Sequence, residues 1–101
     1  MKKIEYELKA LQQRNRDGSY ATQAARSRIL TQASKQLHAL GYRSLNSHSL
    51  KPKHIDALVK YWRLEGVSAA TIKNRMSHLR WWAEKIGKRN VIAKDNKFYG
   101  I

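Results

Sequence analysis

The apolar residues Ile72, Met76, Leu79, Ala83 and Ile86 recur at three- and four-residue steps until Gly87 ends the run. That spacing lines one face of an α-helix and does not fit the two-residue alternation of a half-buried strand. Three earlier segments keep the same period. Ile4, Leu8 and Leu11 mark a helix from about Ile4 to Arg14, stopped by the breaker cluster Asn15-Arg16-Asp17-Gly18-Ser19. Ala25, Ile29, Leu30, Ala33, Leu37 and Leu40 mark a second, from Tyr20 or Ala21 to Leu40, with Gly41 placed as a left-handed cap. After a polar loop over 42–50, Pro52 suits the first position of a third helix, where its missing N–H has no intrahelical partner. The stripe of that helix is Ile55, Leu58, Val59 and Trp62, and Gly66 stops it; Ser68 then supplies an N-cap hydroxyl for the fourth.

One proline and five glycines in 101 residues leave too little turn chemistry for an all-β fold, and no internal repeat or low-complexity stretch is visible. The expectation is an all-α chain: a small four-helix bundle whose short helices need one another's apolar faces. Residues 88–101 lose the period and read as a tail or linker. The expected division is 1–19 for the N-terminal helix and loop, 20–87 for the helical domain and 88–101 for the linker; 1–14 is either part of the bundle or a separate arm.

Charge decides the class of partner. The chain carries 21 Lys and Arg against 7 Asp and Glu, a formal +14, and with 42% hydrophobic residues and three Trp it has the material for one packed domain but not two. The excess therefore sits on a folded surface and attracts polyanions, nucleic acid first. Cysteine is absent, which removes disulfides, Cys-based zinc sites and thiol catalysis. The first residues, Met1 to Glu7, are charged and lead into no apolar run, so neither a signal peptide nor a membrane span is expected and the protein reads as cytoplasmic.

Enzyme constellations come up short. Glu5, Glu7, Asp17, Asp56, Glu65, Glu84 and Asp95 are scattered, no Ser lies in a nucleophile elbow, and no glycine loop could cradle a phosphate. His38, His48, His54 and His78 lack the spacing that puts two ligands on one helical face, so no metal site is expected; solvated or hydrogen-bonded imidazoles are the plainer reading. No cofactor is expected either.

Binding residues are easier to nominate. Ser68, Thr71, Lys73, Asn74 and Arg75 gather donors and cations at a helix N-terminus, where free N–H groups and the dipole favour phosphate. Asn74 could read a base edge in a major groove. The plain alternative is N-capping and a solvated face, and for Ser68 capping suffices. Stepping about 100° per residue puts Lys73, Ser77, Arg80, Trp81, Glu84 and Lys85 opposite the apolar stripe. Trp82 reads as packing, whereas Trp81 needs either a cover from the rest of the chain or a partner. Lys51-Pro52-Lys53-His54 places cations at a helix start, against the dipole, which phosphate binding or solvation explains. Arg26 reads as a side chain laid over the core edge; Arg28, Thr31 and Lys35 point away from the core, either as a solvated face or toward DNA.

The run from Val67 to Ala83, with its Ser-x-x-Thr start, basic helix and aromatic end, resembles a segment of phage-integrase-like tyrosine recombinases. Tyr20-Ala21-Thr22-Gln23 through Leu40-Gly41 looks like the opening helix of their core-binding domain, Lys51-Pro52-Lys53-His54-Ile55 the start of its middle helix, and Asp95 to Ile101 the lead toward the catalytic domain. The likeness spans most of 20–101. It implies a four-helix SAM-like domain that clamps one face of a recombination site in duplex DNA while a separate catalytic domain of the same parent chain, bacterial or phage-encoded, grips the other and cuts. It also implies contacts from Ser68, Thr71, Lys73, Asn74 and Arg75, with Lys51 and Lys53 nearby. The family's Arg-Lys-His-x-x-Arg set and nucleophilic Tyr have no match, and Tyr99 stands without those partners. The chain thus looks like a monomeric piece of a recombinase that binds but does not cleave. Composition equally allows an RNA-binding or ribosome-associated helical protein, and Trp81 leaves open a bundle that docks an acidic protein.

Overall fold

The computed structural model describes residues 3–101. Met1 and Lys2, which open the expected 1–19 segment, lie outside the described residues. The described chain is all-helical, as the periodicity predicts: α1 (Lys3–Arg14), α2 (Tyr20–Ala39), α3 (Pro52–Leu64) and α4 (Ala69–Lys85), then two 3-10 turns, Arg89–Val91 and Asn96–Tyr99. It divides into two compact units, Met1–Ser49 and Leu50–Ile101.

In the first unit α1 packs against α2. Ile4, Leu8 and Leu11 are buried, as are Ile29, Leu30, Ala33 and Leu37 of α2. Helix α1 is therefore integral to this unit and not a separate arm. Ser19 is the N-cap of α2: its hydroxyl accepts from the Thr22 N–H at 3.2 Å and donates to the Thr22 hydroxyl at 3.1 Å. At the other end Gly41, with φ of 106°, closes the helix as expected. The Tyr42 N–H reaches Leu37 O and the Gly41 N–H reaches His38 O. Arg26 lies over the core as expected, only 5% exposed, and its guanidinium donates to the Asp17 carbonyl at 3.0 Å. The loop after α2 is tied back where the Ser47 N–H donates to the Glu7 carboxylate at 3.0 Å.

Leu40 corrects the expected stripe. The helix ends at Ala39, and Leu40 is the cap residue, 41% exposed, because the chain has already begun to turn there.

The second unit is built on α3 and α4. Leu50, Ile55, Leu58, Trp62, Met76, Leu79 and Trp82 are essentially inaccessible. Each buried Trp removes roughly 150–250 Å² from water, which at about 25 cal/mol per Å² contributes about 4–6 kcal/mol as an upper figure. Pro52 stands in the first turn of α3, and Gly66 ends that helix with paired bonds from Gly66 N–H to Arg63 O and Val67 N–H to Trp62 O.

Residues 88–101, expected to be a linker without period, are folded. Ile92 is 4% exposed. Arg80 donates twice to the Ala93 carbonyl, at 3.0 and 3.2 Å, and the Tyr99 hydroxyl accepts from the Ala93 N–H at 2.9 Å. The Arg63 guanidinium bonds the Tyr99 carbonyl. These are contacts between residues 6 to 36 apart, which no helical period encodes.

Candidate nucleic-acid interface

All ten nominated residues, from Lys51 to Trp81, fall in the second unit. The start of α4 sets the geometry. Ser68 sits in extended backbone at the N-cap; its hydroxyl accepts from the Thr71 N–H at 3.2 Å and donates to the Thr71 hydroxyl at 2.9 Å. Capping thus accounts for Ser68, and Thr71 is recruited with it. Lys73 and Asn74 come next, on the exposed side of the helix. Arg75 is half-buried, its guanidinium carbon over the Trp62 ring at 5.1 Å from the ring centre, a cation–π contact. Ser77 donates its hydroxyl to the Asn74 carbonyl at 2.7 Å, which holds the donor against its own helix.

Arg80 is half-buried and turned to Ala93, where both of its bonds to one carbonyl fasten the terminal segment. Its geometry is that of a brace. Trp82 is fully buried, as expected of packing, and Trp81 is half-buried with the Lys85 ammonium 5.9 Å from its ring centre. The Arg89 guanidinium reaches the Glu84 carboxylate at 2.9 Å further along the same helix, between two exposed side chains.

The start of α3 is a second cationic end. Lys51 and Lys53 are exposed, while His54 between them and the core is only 4% exposed. The His54 Nδ1 accepts from the Lys51 backbone N–H at 2.9 Å, so the imidazole caps the helix from its third position. An acceptor nitrogen requires the neutral ring. Burial, and then the nearby charges of Lys53, Lys51 and Lys88, push its pKa below the ordinary 6.5, in the direction that keeps it neutral. This role was not legible in the sequence, where His54 reads as one imidazole among four.

The described residues hold no cluster of three or more His, Cys, Asp or Glu able to bind a metal ion. None of their helices is long and apolar enough to cross a membrane. What the second unit presents is cations at the start of α3, Lys51 and Lys53, and Lys73, Asn74 and Arg75 within the first two turns of α4. Groups of that kind bind phosphate and the polar edges of bases.

Compared with known families, residues 1–92 match the one described as phage integrase, N-terminal. No curated protein and no solved structure matches the chain significantly.

Proposed function

The chain belongs to the phage integrase N-terminal family, and from that premise we propose that it binds duplex DNA as the core-binding part of a tyrosine recombinase. The family serves integration and recombination of DNA, and the all-helical SAM-like fold agrees with it. On this reading the cutting residues belong to a catalytic domain of the same parent chain, acting in the cytoplasm of a bacterium, and the present residues hold the recombination site without cleaving it.

The observation that carries the reading is the exposure of Lys73 and Asn74 directly behind the capped start of α4, with Lys51 and Lys53 exposed at the start of α3. Lys51, Lys53, Lys73 and Arg75 are among the groups that neutralise backbone phosphates. Thr71 and Ser68 orient the first turn of α4, and Ser77 lies alongside. Asn74 is the residue placed to read a base edge. Arg80 holds the adjoining segment through Ala93, and the half-buried Trp81 completes the proposed set.

Salt titration of duplex binding tests this. Neutralising about six phosphates gives a log–log slope near −5. A flat dependence, or tighter binding to structured RNA at matched salt, overturns the proposal. Lys73→Ala lowers affinity on every sequence, whereas Asn74→Ala relaxes preference at one position by about 1–3 kcal/mol.

A further inference from the structure

The terminal segment is the part of the second unit to which the duplex-binding reading gives no task, and its course is fixed. The Ala93 peptide is held on both sides, by the Tyr99 hydroxyl and by Arg80. The Asp95 carboxylate accepts from the Lys97 N–H at 2.9 Å and opens the 3-10 turn Asn96–Tyr99. Gly100, at φ of 71°, then closes it, with its N–H on Lys97 O and the Ile101 N–H on Asn96 O. Lys94 and Lys97 are therefore carried on a braced frame.

That frame stands beside the start of α4. Lys73, Lys94, Asp95, Asn96, Lys97 and Ile101 line a recess of about 540 Å³. All three lysines are exposed, and among the described residues none of their ammonium groups has a hydrogen-bond or ion-pair partner. The one acidic side chain there, Asp95, accepts from the turn backbone and offsets one of the three lysines, so the lining side chains keep an excess of positive charge. Like charges gathered round one recess repel, so stability does not select them, and a bound anion converts that repulsion to attraction. The lining has no aromatic ring on which to stack a base and no glycine loop. It suits recognition of charge, which is the property of a sugar-phosphate backbone and not of its sequence.

We infer that the recess between the start of α4 and the Asn96–Tyr99 turn is a phosphate-backbone site for duplex DNA, held by Lys94 and Lys97 together with Lys73. The inference rests on the duplex-binding reading and extends that surface onto the segment the sequence leaves as a linker.

The test compares salt slopes for the full chain and two double variants on the same duplex. Lys94→Ala/Lys97→Ala removes the two new contacts; Lys3→Ala/Lys60→Ala removes equal charge from exposed positions outside the proposed surface. Each lost phosphate contact lowers the slope by about 0.9, so the first variant shifts it from about −5 toward about −3, and the second leaves it within about 0.5 of the parent. Far-UV ellipticity and melting confirm the fold of both, and the single variants Lys94→Ala and Lys97→Ala, each shifting the slope by about 0.9, provide the same comparison if the double variant unfolds. Equal slopes for the two double variants, with the parent still near −5, overturn this site and leave duplex binding intact. A parent chain without salt-dependent duplex binding overturns the functional reading itself.

Discussion

Two helices of this chain start in the same way and continue differently. Ser19 and Thr22 cap α2, Ser68 and Thr71 cap α4, and in both the serine hydroxyl accepts from the threonine N–H and donates to the threonine hydroxyl. Beyond the threonine the two helices diverge. After the cap of α2 come Gln23, Ala24, Ala25 and Arg26, with the arginine buried and turned to the Asp17 carbonyl. After the cap of α4 come Ile72, Lys73, Asn74 and Arg75, with the lysine and the amide exposed. The Ser-x-x-Thr start is thus a folding device, and the residues behind it distinguish a candidate contact from a plain helix start. The two cores differ as well. Leucine and isoleucine dominate the first, while the second holds the two buried tryptophans, Trp62 and Trp82.

The largest effect expected from that contrast is on stability. Trp82→Ala costs about 3–5 kcal/mol and Leu30→Ala about 2–5 kcal/mol. Because tryptophan emission reports on the second unit alone and far-UV ellipticity on both, denaturant unfolding of Trp82→Ala followed by the two probes shows whether the units melt together. Coincident midpoints mean one cooperative transition; separated midpoints mean that each unit has its own.

A smaller effect sharpens the comparison of caps. Ser19→Ala and Ser68→Ala should each lower stability by about 1 kcal/mol, since each removes the same bond. On the proposed reading only Ser68→Ala should also weaken duplex binding, several-fold, because of these two helices only α4 carries a proposed contact. Equal losses of affinity in the two variants would erase the distinction drawn between α2 and α4.

The smallest effect is the proton linkage of His54, a cap with no counterpart at α2. Its pKa lies below 6.5 in the folded chain, so the native state binds fewer protons than the unfolded one. The stability from the neutral ring is present above pH 6.5 and is lost as pH falls from there through the depressed value. Melting temperatures measured downward from pH 7 should show this decline, and His54→Gln, which keeps an acceptor but cannot charge, should flatten it.

Local signals explain what the sequence made readable. Glycine after a helix and serine before one act within a few residues, so Pro52, Gly66, Ser68 and Gly87 set the limits of α3 and α4 almost to the residue. Ser19 carries the same cap signal but sits in a breaker cluster, which masks it. Contacts without a period escape sequence reasoning. Arg80 reads as one more cation on an outer helical face, yet its partner is a backbone carbonyl 13 residues on. The bracing of Ala93 and the recess beside Lys73 both depend on that long-range bond. His54 escapes for the opposite reason: its partner is only three residues away, but nothing in a lone histidine says which nitrogen accepts.

Counting hydrogens at the start of α4 divides labour within the cap. Ser68 has one hydroxyl hydrogen, and it is spent on the Thr71 oxygen. The Thr71 hydrogen is the one left for an outside acceptor, from an exposed position one helical turn inside the cap. The serine holds the helix, and on the proposed reading the threonine keeps a donor for a phosphate, so two residues that look interchangeable in the motif have separate duties.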